Sequence, residues 1–198
     1  MKLSAICVFC GSSPGARPEY LEAARAVGTA LAERGIRLIY GGGSVGLMGA
    51  AADACLAAGG HVTGVITKRL LGLELGHRGI QSLEVVDSMH ARKARMAELS
   101  DGFVSLPGGM GTLDELAEIL SLAQLQEHQK PSGLLNVSGY YDGLRGFLRH
   151  MVSERFLLHE HGEMLLCAES VERLLDQMEA YEPVLAEKWV QRKTSGMG

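Results

Sequence analysis

No apolar run in this chain reaches the roughly 18 residues of a membrane span, which argues against an integral membrane protein. The longer apolar stretch of a signal peptide is missing too. The first residues, Met1-Lys2-Leu3-Ser4, lead straight into a short strand-like run, so a cytoplasmic protein is expected. Positive charge is not in excess: 19 Lys and Arg stand against 23 Asp and Glu, for a net charge of −4, and this argues against a nucleic-acid polymer as partner. Aromatic residues are few. Of four cysteines, Cys7 and Cys10 have C-x-x-C spacing, but Cys55 and Cys167 stand alone, so the second ligand pair of a zinc site is lacking. Nor does the pair open a helix as a thioredoxin-like motif should. It lies at the end of a strand, where residues three apart face opposite sides, and it reads as two buried thiols. No lysine followed by Ser or Thr closes a glycine turn, so a Walker loop is absent and ATP hydrolysis is disfavoured.

What the chain does have is glycine, 26 residues of it, clustered at the ends of apolar runs. That pattern suggests tight loops at the mouth of a sheet. The length suits one well-buried domain spanning residues 1–198, with a peripheral polar tail after about residue 182 that frays after Lys193. Neither a linker nor a tandem repeat divides it.

In order, the strand-like runs are residues 3–9, 36–40, 61–66, 83–86, 103–106, 132–137 and 164–168. Helical periodicity falls on residues 18–34, 47–58, a stretch capped by Asp87 or Ser88 and reaching Leu99, 113–125, 141–153, and a stretch from Ser170 to Ala180. Residues 67–81 read as a long irregular crossover, and residues 155–162 as a loop with exposed His159 and His161. Arg92, Lys93 and Arg95 add positive charge to a helix near the sheet's mouth, with a solvated basic face as the plainer alternative. Strand and helix alternate throughout, which predicts an α/β fold: a Rossmann-like, doubly wound parallel sheet flanked by helices on both faces. Ligands of such sheets bind at the carboxyl ends of the strands. Three glycine-rich turns fall there, placing Gly11 and Ser12, Gly42 and Gly43, and the segment 108–111 at one mouth. Residues 41–46 fit the dinucleotide fingerprint only loosely, following the second strand and lacking a later acidic residue for a ribose. A phosphate- or ribose-facing loop is the better reading.

The stretch Leu106-Pro107-Gly108-Gly109-Met110-Gly111-Thr112-Leu113-Asp114-Glu115 is a strand end, a glycine turn and a helix start. Glycines let the backbone approach a ligand and turn its N–H groups inward, and the helix aims its positive end at the same spot. A phosphate is the expected guest. Ser12, Ser13, Ser44 and Thr112 converge with it, and Asp114 and Glu115 bring carboxylates. Breaking an N-glycosidic bond builds positive charge at the sugar carbon, which an ionised carboxylate can stabilise, or the carboxylate can activate water. Near a helix N-terminus Glu115 should stay ionised. Thr112-Leu113-Asp114-Glu115 is also a capping box, with Thr112 as cap and Glu115 reaching back. Local sequence leaves both roles of Glu115 open. Ser88-Met89-His90 with Lys93 superficially suggests a pyridoxal-phosphate lysine, but Lys93 sits among arginines on a polar face and lacks the desolvated setting such a lysine needs.

The residues Pro107-Gly108-Gly109-Met110-Gly111-Thr112-Leu113-Asp114-Glu115 match the P-G-G-x-G-T-x-x-E signature of the LOG-type cytokinin-activating phosphoribohydrolases, a family often labelled lysine decarboxylase. Ser88-Met89-His90-Ala91-Arg92-Lys93 matches its second motif. Smaller matching pieces include Val8 through Gly15, Tyr40 through Gly43, Gly46 through Gly49, and Lys130-Pro131 through Tyr141, so the resemblance covers about residues 4–156.

The resemblance implies a Rossmann-like homodimer with sites near the subunit interface and no cofactor or metal. The implied activity is hydrolysis of a nucleoside 5′-monophosphate, preferably of N6-substituted adenine, to free base and ribose 5-phosphate. It implies Arg92 and Glu115 as the essential pair. It implies substrate contacts at Lys93, at Gly109, Met110, Gly111, Thr112, Leu113 and Asp114, at Glu74 by counting back from the second motif, and at Ser121, where the family usually has threonine. Gly108, Gly11, Ser12, Gly42 and Gly43 join them as loop positions. Three departures stand out: Asp114 for glutamate, Leu122 for tryptophan and Gln126 for glycine. These bear on base preference more than on reaction type. The alternatives are a general AMP or nucleoside-monophosphate nucleosidase, and a non-catalytic binder of a phosphorylated cofactor such as molybdopterin.

Overall fold

The computed structural model describes residues 2–73 and 75–184. Its strands are β1 (Ala5–Phe9), β2 (Arg37–Tyr40), β3 (Val62–Thr67), β4 (Ser82–Val86), β5 (Gly102–Ser105), β6 (Ser132–Leu135) and β7 (Leu165–Ala168). Its helices are α1 (Pro18–Glu33), α2 (Gly46–Ala57), α3 (Lys68–Gly72), α4 (Met89–Glu98), α5 (Met110–Gln124), α6 (Asp142–Ser153), α7 (His159–Gly162) and α8 (Val171–Glu179), with a 3₁₀ turn at Val137–Gly139. The seven strands form one sheet in the order β4-β3-β2-β1-β5-β6-β7, and every pairing is parallel. The fold is therefore the Rossmann-like α/β sheet expected. The order runs outward from β1 to β4 and resumes on the other side of β1 with β5. The loops after β1 and β5 thus diverge, which opens a crevice at the carboxyl ends of the central strand β1 and its neighbour β5.

Alternation along the central strands sorts side chains between two cores. On one face Ile6, Val8, Leu38, Tyr40 and Val104 pack under α1, α2 and α8. On the other, Cys7, Phe9, Ile39, Val65 and Phe103 meet Met96 of α4 and Ile119 of α5, with Phe9 and Phe103 stacked at 5.9 Å. Strands buried on both faces read as continuous apolar runs, which is why β1 stands out in the sequence. Cys7 and Cys10 fall on opposite faces, both buried. Burial pushes both thiols well above the ordinary range.

Four local expectations are corrected. The crossover of residues 67–81 is not wholly irregular, since Thr67 accepts a hydrogen bond from the Leu70 N–H and caps the short helix α3. Helix α5 starts at Met110, three residues before the expected Leu113. Residues 155–162 contain α7, and His161 is buried instead of exposed. The sixth strand ends at Leu135, because Asn136 turns the chain into the 3₁₀ segment. Glu74, and the expected fraying tail with Leu185, Trp189 and Val190, lie outside the described residues. No described helix is long and apolar enough to cross a membrane.

Candidate active site

Helix α5 opens directly from the glycine turn. Gly109 is its N-cap, extended and without a side chain to offer, and the first intrahelical bond runs from the Leu113 N–H to the Gly109 carbonyl at 3.1 Å. The N–H groups of Met110, Gly111 and Thr112 precede that bond, and helix geometry leaves them without intrahelical acceptors. They point where an anion is favoured.

The early start overturns the capping box. Thr112 is the third helical residue, and its side chain packs on Gly108, where an added Cβ would lie 2.1 Å from Thr112 Oγ1. Glu115 falls in the second turn, too deep to reach back to an N-cap. It is buried, and Arg92 Nη1 donates to its Oε1 at 3.1 Å. Burial pushes the Glu115 carboxyl above the ordinary glutamate range, and the Arg92 guanidinium pulls it part of the way back. The expectation that the helix end alone would set its ionisation omitted this desolvation.

Arg92 arrives from α4, whose N-cap Ser88 accepts a hydrogen bond from the Ala91 N–H at 3.1 Å. Its Nε donates to the Val65 carbonyl at 2.9 Å, and its side chain is buried. Nη2 occupies the space beside Gly41, where a Cβ would come within 1.9 Å of it. A residue larger than glycine at position 41 would expel the guanidinium. The plainer alternative, a solvated basic face, does not hold, because all three cations are engaged. Lys93 Nζ contacts Asp114 at 2.9 Å and Glu118 at 3.0 Å, while Arg95 contacts Glu84 and Glu98, each at 2.7 Å.

These groups surround a cleft of about 270 Å³ lined by Gly11, Ser12, Arg92, Gly109, Met110, Gly111, Thr112 and Glu115. Gly108 borders an adjoining cleft of about 230 Å³ with Ser13, Tyr20 and Tyr140, the two sharing Gly11, Ser12 and Gly109. Val8, Cys10, Gly41 and Met48 also line the first cleft and were not among the expected site residues. The glycine run held a signal for Gly41, but nothing local shows which of three consecutive glycines faces a ligand. Other expected positions lie elsewhere in the single chain. Gly42 packs towards Leu83 and Ile66, and Gly43 bridges to Gly76. Ser44 turns to the Leu75 carbonyl. Asp114 is exposed and held by Lys93. Leu113 and Ser121 face an apolar groove between α5 and α6, where the Ser121 hydroxyl donates to the Ala117 carbonyl at 2.7 Å. Among the described residues, no group of three or more His, Cys, Asp or Glu is arranged to hold a metal ion.

Comparison with known proteins matches residues 48–178 to a family described as possible lysine decarboxylase. A cytokinin riboside 5′-monophosphate phosphoribohydrolase of Arabidopsis thaliana is 49% identical over 178 residues, covering 90% of this chain and 82% of its own length. A second Arabidopsis protein of that name is 46% identical over 182 residues, covering 92% and 85%. Among solved structures, the molybdenum cofactor carrier protein of Chlamydomonas reinhardtii superposes with a TM-score of 0.69 at 23% identity, covering 91% of this chain and 100% of that one. The molybdenum cofactor binding protein of Rippkaea orientalis gives 0.68 at 24%, covering 91% and 98%. At those identities the two structures speak for the fold alone.

Proposed function

The chain belongs to the LOG family of cytokinin riboside 5′-monophosphate phosphoribohydrolases, and from that premise we propose that it hydrolyses the N-glycosidic bond of N6-substituted adenosine 5′-monophosphates, releasing free base and ribose 5-phosphate. The observation that carries this reading is the buried Arg92–Glu115 pair, 3.1 Å apart, beside the open N-terminus of α5. The 5′-phosphate sits on the N–H groups of Met110, Gly111 and Thr112, with the backbone of Gly11 and Ser12 opposite. That anchoring sets the ribose over Glu115. As the C1′–N9 bond breaks, positive charge develops at C1′, and the departing base takes the bonding electrons and a proton from solvent, which is made good by the proton the attacking water gives up. The Glu115 carboxylate stabilises the cation electrostatically and accepts a proton from the water whose oxygen bonds to C1′. A carboxyl pushed upward by burial is a better proton acceptor than an ordinary one. Arg92, fixed through Nε on Val65, orients that carboxylate through Nη1.

By motif position, Lys93, Asp114 and Glu74 are further substrate-contacting residues in this proposal. We propose a homodimer, with Leu113 and Ser121 reaching substrate across the subunit interface. Supporting this, α6 carries Leu144, Phe147, Leu148 and Met151 beside the α5 groove, yet none of its residues is buried in the single chain, and Phe147 is 54% exposed. A second copy would cover that face. The chain works as one domain in the cytoplasm and needs no cofactor.

The test is purified protein with N6-isopentenyl-AMP and with AMP, following free base and ribose 5-phosphate. Turnover of the first in preference to the second is expected. Equal turnover would indicate a general AMP nucleosidase. No product from either, with Glu115→Gln indistinguishable from wild type, would overturn the catalytic reading.

A further inference from the structure

The glycine turn after β5, residues 107–111, has no polar side chain of its own with which to hold its shape, yet an anion seat needs fixed N–H groups. Its carbonyls show how the shape is held. Three consecutive carbonyls are each held by a hydrogen bond. That of Leu106 accepts from the Tyr141 hydroxyl at 2.6 Å, that of Pro107 from the Gly11 N–H at 3.1 Å, and that of Gly108 from the Tyr140 hydroxyl at 2.5 Å. The two tyrosines are themselves anchored. The Tyr141 N–H donates to Asn136 Oδ1, and Asn136 Nδ2 donates to Asp142 Oδ1, both at 2.8 Å. The Tyr140 ring meets Tyr141 edge-on at 5.0 Å and Tyr20 edge-on at 5.7 Å. Tyr20 in turn lies under Gly15, at the far end of the loop that carries Gly11 and Ser12.

We propose that Tyr140 is a positioning residue for phosphate recognition. Its hydroxyl holds the Gly108 carbonyl back, which keeps the following peptide N–H groups aimed into the cleft, and its ring braces the facing loop through Tyr20. A peptide unit cannot present its carbonyl and its N–H to the same side. Once the Gly108 carbonyl is released, the flexible Gly108–Gly109 link can rotate an oxygen toward the anion. Tyr140 is 43% exposed and borders the Gly108 side of the site without touching Glu115 or Arg92, so its effect falls on binding and not on bond cleavage. The inference rests on the proposed seating of the 5′-phosphate at α5.

The experiment is Tyr140→Phe, which keeps the ring and removes one hydroxyl at a half-open position, so the fold and thermal midpoint should hold. Ribose 5-phosphate affinity is measured by titration calorimetry, and KM and kcat are measured on AMP or N6-isopentenyl-AMP, whichever the wild type turns over. Expected is a loss of ribose 5-phosphate affinity of about 5- to 10-fold, a matching rise in KM, and a kcat within about twofold of wild type. Wild-type affinity in Tyr140→Phe, or a fall in kcat with KM unchanged, overturns the proposal. So does a wild type that fails to bind ribose 5-phosphate at all. A wild type that binds ribose 5-phosphate in a Tyr140-dependent way but hydrolyses nothing would defeat the catalytic reading and leave the clamp standing.

Discussion

Residues 41–46 and 107–111 are alike on paper: each is a glycine-rich link from a strand to the start of a helix. In the fold they do opposite things. The first is closed. The Ser44 N–H goes to the Leu75 carbonyl, the Gly42 carbonyl accepts from the His77 N–H, and the Leu47 N–H, in the first turn of α2, goes to the Gly11 carbonyl. A Cβ at Gly46 would lie 2.3 Å from the carbonyl carbon of Ser12, and one at Gly49 would lie 2.2 Å from the Ser44 carbonyl oxygen. The second is open: a Cβ at Gly109 or Gly111 would meet nothing within 4 Å. Glycine in the first turn lets backbone pack on backbone. At Gly109 and Gly111 of the second it leaves room for a ligand that the chain itself does not supply, while Gly108 is packed against Thr112. A glycine-rich strand-to-helix turn is therefore not by itself a phosphate site, and what separates the two is whether neighbouring backbone already fills the space beside the glycines at the helix start.

The sharpest way to break the comparison is at the residue that only the open turn leads to. Glu115→Gln should lower kcat by about three orders of magnitude or more, because a neutral amide neither accepts the proton nor balances the charge at C1′. Ribose 5-phosphate affinity should stay close to wild type, since the N–H seat is untouched. Burial raises the Glu115 carboxyl, and the ionised form is the working one. Activity should therefore be full above that raised value and fall as pH drops through it, so the acid limb of kcat lies above the ordinary glutamate range. That limb should vanish from the residual activity of Glu115→Gln. A variant retaining activity within tenfold of wild type, with the same limb, would show the open turn to be a binding site only.

Much of this was legible before the fold was known, and the failures share a cause. Continuous apolar runs such as residues 5–9 and the 3.6-residue periodicity of residues 18–34 reported the parallel sheet and its flanking helices, because strand burial and helix amphipathicity are local patterns. The start of α5 was not legible. Thr112-Leu113-Asp114-Glu115 satisfies the capping-box pattern, but an extended Gly109 lets the helix begin three residues earlier, and a burial partner then decides where Glu115 points. Nor could adjacent Arg92, Lys93 and Arg95 be told apart from sequence alone. Arg92 turns inward because the Val65 carbonyl and the gap at Gly41 receive it, and both are brought by other strands. The resemblance singled out Arg92 and Glu115, and the geometry supplies the physical reason the two meet.

The next test sets the two turns against each other directly. Gly46 has a φ of +61°, and an alanine there adds left-handed strain to a backbone clash. Gly46→Ala should lower stability by about 3 kcal/mol, read as a fall in the denaturation midpoint. Gly111→Ala should do the reverse: helical propensity favours alanine over glycine by about 1 kcal/mol, so the midpoint should hold or rise. Its methyl group borders the cleft, and ribose 5-phosphate affinity should fall about 10-fold. Equal stability losses in the two variants, or unaltered affinity in Gly111→Ala, would erase the distinction between packed and open glycines.

The smallest effect is expected at the other end of α5, where left-handed geometry is met without a glycine. Gln126 has a φ of +61°. Its N–H donates to the Ala123 carbonyl and the Glu127 N–H to that of Leu122, which is the Schellman closure of a helix and a position that favours glycine. A side chain held there costs about 1 kcal/mol, and part of that returns as unfolded-state entropy when glycine replaces it. Gln126→Gly should therefore stabilise the fold by about 0.5 kcal/mol, or about 1–2 °C in thermal midpoint for a chain of this size. Gln126→Ala keeps the Cβ and should gain nothing. If alanine stabilises as much as glycine, the benefit comes from losing the long side chain, and left-handed strain at this helix end is not what limits the chain.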